Sequence, residues 1–135
     1  MHILREVAAL AGISDVPLRR LIEQRFAELS EGGEFDAARM GYFVVVEPGD
    51  LVERIEAEVG CPILTDAFSN ARYGDADFTP GCEWLLDHGA CYELAFILND
   101  DGFSIGVFVP RADIDPELLA FCAEYAIPAM AVTPT

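Results

Sequence analysis

Lysine is absent from this sequence, and arginine alone supplies the positive charge of its side chains. Eight arginines stand against 24 acidic residues in a chain of 135 residues, for a formal net charge of −16 at pH 7. So few cations do not provide the positive field that holds nucleic-acid phosphates or anionic membranes. The composition therefore excludes an extended basic surface for binding nucleic acid or membrane. In the leading interpretation we expect neither direct nucleic-acid binding nor membrane attachment.

Hydrophobic runs long enough for a membrane are also missing. Runs such as YFVVV at residues 42–46 are far shorter than the roughly 20 residues that a membrane-spanning helix needs. The N-terminal segment MHILREVAALAG is interrupted by Arg5 and Glu6, which does not fit a signal peptide. We therefore expect a cytoplasmic protein.

Cysteines with metal-ligand spacing are lacking as well. The four cysteines contain no CxxC pair and mostly have apolar or aromatic neighbours, which predicts reduced and buried side chains. They are Cys61, Cys82, Cys91 and Cys122. The sequence also has no phosphate-binding glycine loop and no nucleophile in a recognisable turn. We therefore assign no catalytic residue, no metal ligand and no cofactor.

What is present suits one domain, because an apolar content of 53% provides a hydrophobic core at this length. Charge divides the chain unevenly. Residues 1–40 carry seven acidic and five basic residues, whereas the remaining 95 carry 17 and three. Within a single domain, 1–135, we predict an N-terminal helical hairpin at 1–40, an acidic α+β body at 41–128 and a frayed tail at 129–135.

Local patterns predict both strands and helices in the body. CYELAFIL and FSIGVFVP flank the residues NDDG, which predicts an antiparallel hairpin with Gly102 in its turn. YFVVVE predicts a buried strand, and EWLLDHG fits either a short helix or a strand. Asp50 and Asp115 are expected to cap two helices, of which the first ends at Gly60 and the second begins at Pro116. The predicted class is α+β, an antiparallel sheet of three or more strands with helices packed on one face, plus the N-terminal helical hairpin.

The N-terminal hairpin carries a motif at residues 6–23, EVAALAGISDVPLRRLIE, with a small residue at Ala8 and a turn glycine at Gly12. This segment resembles the helix-turn-helix of lactose-repressor-type regulators, in which a VAxxAGVS helix and turn precede a recognition helix. The resemblance implies that residues just after the turn read bases in the major groove, and the arginines there are Arg19 and Arg20. It supports an alternative function, a small DNA-binding regulator whose acidic body dimerises or senses a ligand.

An irregular stretch of the body concentrates acidic and aromatic residues, and we predict that it forms a protein-binding surface. An ordered array of carboxylates imitates the phosphates of a duplex and steers association with basic proteins. The residues assigned to partner binding are Asp66, Tyr73, Asp75, Asp77, Glu83, Trp84 and Asp87. The leading hypothesis is a non-enzymatic acidic protein that engages a basic protein partner. By mimicking DNA, it would inhibit a nucleic-acid-handling or defence complex.

Two further interpretations concern the same body. From residue 41 onward it is similar to uncharacterised small acidic proteins of bacterial plasmids and integrative elements. That resemblance implies an accessory function such as inhibition of a host nuclease or defence complex. The stretch 66–88 also contains Arg72 and His88, which fit an enzyme that binds an anion with the arginine and uses the histidine, oriented by an aspartate, as a base.

Overall fold

The structure, a computed structural model, describes residues 1–30, 39–64, 81–98, 103–111 and 113–128, and for residues 81–83 the backbone alone. The strands are β1 (His2–Leu4), β2 (Gly41–Val45), β3 (Gly81–Asp87), β4 (Cys91–Ile97), β5 (Ser104–Pro110) and β6 (Ile127–Pro128). The helices are α1 (Val16–Leu29), α2 (Val52–Val59) and α3 (Pro116–Tyr125), with a short 3-10 helix (Val7–Gly12) before α1. These elements confirm the α+β class. In the described ranges, no helix has both the length and the apolar character that a membrane crossing needs.

The six strands form one mixed sheet in the order β1-β2-β5-β4-β3-β6. The predicted hairpin is confirmed, because β4 and β5 pair antiparallel along their whole length. Its turn residues, 99–102, lie outside the described ranges, as does the predicted tail at 129–135. The prediction of an antiparallel sheet is wrong, since β2 runs parallel to β5 and β3 runs parallel to β6. An unbroken apolar run does not encode strand direction, which is set by the path of the connection.

Helices cover both faces of the sheet. The body helices α2 and α3 pack on one face, as predicted, and α1 packs on the other. Strand β2 shows the arrangement. Val44 is buried in the core that contains α2 and α3, whereas Phe43 and Val45 are buried in the core that contains α1. Successive side chains of a strand point to opposite faces, so an apolar run such as YFVVV indicates burial on both. The fold therefore has three layers, with α1 on one side of the sheet and α2 and α3 on the other.

The α1 layer rests on apolar and aromatic contacts. Leu18, Ile22 and Phe26 recur at helical spacing and are buried. The Phe26 ring meets the Phe43 ring of β2 edge-on, with 4.7 Å between ring centroids. Asp15 begins the helix by accepting a hydrogen bond from the Leu18 N–H at 3.1 Å. The sequence thus positions α1 through one capping carboxylate and one apolar stripe.

The predicted N-terminal hairpin of two helices is not confirmed. Where the first helix was expected, His2–Leu4 form β1, which pairs antiparallel with β2, and the 3-10 helix follows. Leu4 is fully buried in the core under α1, a position that the extended backbone opposite Phe43 provides. Because a helix of this length gains few internal hydrogen bonds, pairing with a neighbouring strand satisfies the backbone better.

One carboxylate joins the N-terminal ends of α2 and α3. As predicted, Asp115 caps α3, and one of its oxygens accepts a hydrogen bond from the Glu117 N–H at 3.0 Å. The other oxygen accepts a hydrogen bond from the Val52 N–H of α2, also at 3.0 Å. This contact supplies α2 with a cap from another element, so Leu51, the residue before α2, needs no capping side chain of its own.

The predictions for the two ends of α2 differ in outcome. Gly60 ends the helix in the left-handed conformation, with φ of 77°, as expected. Asp50 does not begin it. Its buried carboxylate accepts a hydrogen bond from the Glu47 N–H at 2.9 Å and pairs with the α-ammonium of Met1 at 2.7 Å. Asp50 therefore fixes the turn between β2 and α2 and leaves the helix start to Asp115.

Candidate functional site

Most of the predicted binding surface lies outside the described residues. This applies to Asp66, Tyr73, Asp75 and Asp77, and to the side chain of Glu83 on β3. Trp84 and Asp87 are also on β3, and both side chains are described. Three positions separate them along a regular stretch of the strand, so they point to opposite faces of the sheet. The two residues therefore do not share one surface.

Asp87 is a paired carboxylate. It forms an ion pair with Arg111 at 2.5 Å, and the Arg111 guanidinium lies over the Tyr92 ring, 4.4 Å from its centroid. The hydrogen bond from the Gly89 N–H, at 2.8 Å, is the largest cause that lowers the pKa of Asp87, and Arg111 adds to it. Because these contacts engage the carboxylate within the protein, Asp87 is a weak candidate for binding a basic partner.

The acidic excess of the described chain lies mainly on the α2 and α3 layer. Residues 47–60 and 113–125 carry nine acidic residues and one arginine, whereas residues 13–30, which contain α1, carry three of each. The nine are Glu47, Asp50, Glu53, Glu56, Glu58, Asp113, Asp115, Glu117 and Glu124. Because the two layers lie on opposite sides of the sheet, an excess that is spread along the sequence becomes one-sided in space.

Several of the nine carboxylates serve the fold. Glu58 accepts a hydrogen bond from the Tyr42 hydroxyl at 2.8 Å, and Glu56 accepts one from the Ile63 N–H at 2.6 Å. Asp50 and Asp115 make the contacts described above. These carboxylates satisfy polar atoms of the protein itself, so they are less available to a partner.

Of the exposed carboxylates of this layer, three lie on its helices, namely Glu53 on α2 and Glu117 and Glu124 on α3. None of the three pairs with a cation of the described ranges. Glu53 and Glu117 lie in the first turns of their helices, where the positive end of the helix dipole favours a carboxylate. We call the exposed side of α2 and α3, marked by these three residues, the acidic face.

A second group of charged residues lies on the opposite face of the sheet. The Glu93 side chain of β4 is only 3% exposed and lies between Arg25 of α1 and His88 of the β3–β4 turn. Arg25 donates from Nη2 at 3.0 Å and from Nε at 3.1 Å, and His88 Nε2 lies 2.6 Å from Glu93 Oε1. Arg25 also pairs with the exposed Glu28 at 2.9 Å. We call Arg25, His88 and Glu93 the buried charge cluster.

The contacts of the buried charge cluster keep Glu93 and Arg25 ionised. Burial alone would raise the pKa of Glu93, but the hydrogen bonds from His88 and Arg25 outweigh burial and lower it. Burial likewise opposes the charge of Arg25, yet Glu93 raises the pKa of that guanidinium. Burial, with a contribution from Glu93, raises the pKa of Cys91 to about 12, so this thiol stays protonated at neutral pH. The arrangement offers a fixed ion pair and no thiolate nucleophile at Cys91.

The buried charge cluster was not predicted, although the sequence contains a signal for it. Arg25 interrupts the apolar face of α1, and Glu93 interrupts the apolar run CYELAFIL. A charged residue at a buried position requires a partner of opposite charge, so each interruption predicts a partner, although the sequence alone does not identify it. The residue that orients His88 is thus Glu93, whereas the sequence-based enzyme hypothesis expected an aspartate.

The two arginines of the helix-turn-helix resemblance lie near the start of α1. Arg19 is half-buried, and its Nη1 donates to the Ile13 carbonyl at 3.4 Å, whereas Arg20 is exposed. Further along the helix, Glu23 and Glu28 are exposed as well. The outer surface of α1 therefore lacks the excess positive charge on which phosphate binding depends.

No metal site is formed by the part of the chain that the structure describes, because no three histidine, cysteine, aspartate or glutamate side chains are suitably grouped there. Neither a protein-family model, nor a curated protein, nor a solved structure matches the chain. The resemblances to DNA-binding regulators and to mobile-element proteins therefore stay predictions, and function has to be argued from charge and geometry.

Proposed function

We propose that this is a non-enzymatic binding protein whose acidic face engages a basic region of another protein. The observation that carries the proposal is the one-sided charge, nine acidic residues against one arginine on the α2 and α3 layer and an even balance around α1. Carboxylates gathered on one side attract a basic surface and orient it during encounter. A nucleic-acid-handling protein is the partner class that fits best, because its own binding groove is basic.

DNA mimicry is the mode of binding that we propose. Glu53 and Glu117 occupy the first turns of two helices whose N-terminal ends meet at Asp115, which gathers carboxylates from separate elements at one place. Carboxylates gathered in this way suit the cationic positions of a groove that otherwise holds phosphates. Asp87 is already paired with Arg111, so among the described residues the acidic face supplies the principal contact. The contacts predicted at Asp66, Asp75, Asp77 and Glu83 stay predictions.

A capture experiment with charge-matched variants tests this proposal. The immobilised protein is incubated with a native-like lysate at low and at high salt. The double variant Glu53→Gln/Glu124→Gln removes two charges from the acidic face, and Glu6→Gln/Glu23→Gln removes two exposed charges outside it. We expect partner retention to fall steeply with salt, since screening acts over about 8 Å at physiological ionic strength. We also expect the first double variant to retain less partner than the second.

Competition with duplex DNA then tests the mimicry. A nucleic-acid-binding partner should release the protein when duplex is added, because both ligands occupy the same basic groove. Release by salt without release by duplex would leave the basic-partner proposal in place and remove DNA mimicry. Retention that is indifferent to salt and to both double variants would contradict the proposal as a whole. A selected DNA site that the protein itself binds through Arg19 and Arg20 would favour the regulator hypothesis instead.

A further inference from the structure

We propose that the buried charge cluster makes the docking of α1 sensitive to acid, so that proton uptake by the cluster releases α1 from the sheet while α2 and α3 stay in place. This is a conformational property of the protein, and it does not depend on which partner the acidic face binds.

The cluster spans the interface between α1 and the sheet. Arg25 belongs to α1, Glu93 to β4 and His88 to the turn between β3 and β4, and their side chains are 21%, 3% and 14% exposed. Three donor nitrogens converge on the Glu93 carboxylate at 2.6 to 3.1 Å. Charges that are this shielded from water interact strongly, so the state of Glu93 decides whether α1 is attracted to the sheet or repelled.

Proton uptake makes the net charge of the interface between α1 and the sheet more positive. At neutral pH the charges of Arg25 and Glu93 offset each other. A proton on Glu93 leaves the Arg25 guanidinium without its buried counter-charge. Breaking a buried ion pair by neutralising one partner is strongly destabilising, because the remaining charge is left uncompensated.

The charged groups around the cluster do not compensate for the negative charge that Glu93 loses in acid. The titratable and charged groups around the cluster are Asp15 and Glu28 on α1, Asp87 at the end of β3, Cys91 on β4 and Arg111 after β5. Strands β2 and β5 contribute apolar side chains, Phe43, Val45 and Phe108. Because proton uptake only removes negative charge, none of these groups replaces the negative charge that Glu93 loses.

The opposite layer responds differently. The exposed carboxylates of the acidic face repel one another at neutral pH, and acid removes that repulsion. The Asp115 cap also survives in part, because a protonated carboxyl group still accepts hydrogen bonds from N–H groups. We therefore expect α1 to open before α2 and α3 as the pH falls.

Hydrogen exchange followed by mass spectrometry on the full chain tests the proposal, with rates corrected for the intrinsic pH dependence of exchange. Protection of the α1 amides should hold from about pH 7 to about pH 4. Between about pH 4 and about pH 2, α1 should lose protection first, by roughly a hundredfold relative to α3. The variant Glu93→Gln should lower α1 protection already at neutral pH and make it less dependent on pH. The control Glu58→Gln, which changes a carboxylate of the α2 layer, should leave α1 protection unchanged.

The wild-type titration decides the question even if Glu93→Gln fails to fold. Loss of protection in all three helices over the same pH interval would overturn the proposal, since it would show global unfolding. Loss in α2 or α3 before α1 would overturn it as well, and so would an α1 that stays protected throughout the titration.

Discussion

The two helical layers of this protein handle charge in opposite ways. In residues 13–30, which contain α1, positive and negative residues are equal in number, and on the same side of the sheet the buried carboxylate of Glu93 is held by Arg25 and His88. On the α2 and α3 side, acidic residues outnumber arginine nine to one, and Glu53, Glu117 and Glu124 are exposed. Over the described residues, the acidity is therefore not a uniform coat. One layer uses charge internally to hold a helix on the sheet, and the other presents charge to the outside.

The difference between the two layers determines how strongly a substitution in each should affect stability or partner binding. A charge buried with its partner contributes strongly to stability when that partner is removed. An exposed carboxylate contributes little to stability but adds to the long-range field that brings a partner in. Substitutions should therefore matter most for stability in the buried charge cluster and most for binding on the acidic face.

The largest stability effect is expected at Glu93. Glu93→Gln keeps the shape of the side chain but leaves Arg25 without its buried counter-charge, which should destabilise the protein by about 3 kcal/mol. The matched control is Glu28→Gln, because Glu28 pairs with the same arginine from an exposed position and should cost less than about 1 kcal/mol. Urea unfolding of both variants measures the difference, and equal losses would show that burial does not set the strength of these pairs.

The same comparison has a predicted pH dependence. The pKa of Glu93 is lowered in the folded protein, so its stabilising contribution is complete above the unfolded-state value of about 4.3 and is lost as the pH falls further. The stability gap between the wild type and Glu93→Gln should therefore be constant near neutral pH and shrink below about pH 4. A gap that widens in acid would give the opposite sign and contradict the assignment.

A smaller effect is expected at Asp115, the carboxylate that joins α2 and α3. Asp115→Ala removes two hydrogen bonds to helix N-terminal N–H groups and should cost about 2 kcal/mol in the free energy of unfolding. Glu124→Ala removes an exposed acid from the same helix and should change stability by less than about 0.5 kcal/mol. Thermal unfolding distinguishes the two, and similar values would show that Asp115 does not connect the helices.

The smallest effect is expected on the acidic face itself. Glu124 lies in the last turn of α3, where a negative charge opposes the helix dipole and adds to the local repulsion. Glu124→Gln should therefore stabilise the protein by about 0.5 kcal/mol at low salt, and less at high salt. Glu23→Gln on the balanced α1 layer should give no gain. A gain that persists at high salt would point to a cause other than electrostatic repulsion.

The sequence predicted those parts of the fold that depend on near neighbours. The β4–β5 hairpin, the end of α2 at Gly60 and the Asp115 cap all follow from short patterns, and all are confirmed. The parallel pairing of β2 with β5 was not predicted, because it joins Gly41 to Ser104 across a long intervening chain. No local pattern records such a pairing. Residues 2–4 were predicted to be helical but form a strand for the same reason, because their pairing partners lie on β2, which is distant in the sequence.

The candidate site was likewise predicted only where it depends on local sequence or composition. The acidic excess of the body was evident from composition, but its location on one side required the three-layer arrangement, which places α1 opposite α2 and α3. The buried pair of Arg25 and Glu93 was present in the sequence as two charged interruptions of apolar patterns. Only the fold shows that these two interruptions meet. The predicted contacts at Asp75 and Asp77 stay predictions, because both residues lie outside the described ranges.

Carboxyl-group labelling of the protein, alone and in complex with its captured partner, tests the central claim most directly. Mass spectrometry then reports which carboxylates the partner shields. We predict that Glu53, Glu117 and Glu124 are protected in the complex, whereas Glu6 and Glu23 react as in the free protein. Protection of Glu6 and Glu23 with continued labelling of the acidic face would contradict the assignment of binding to the α2 and α3 layer.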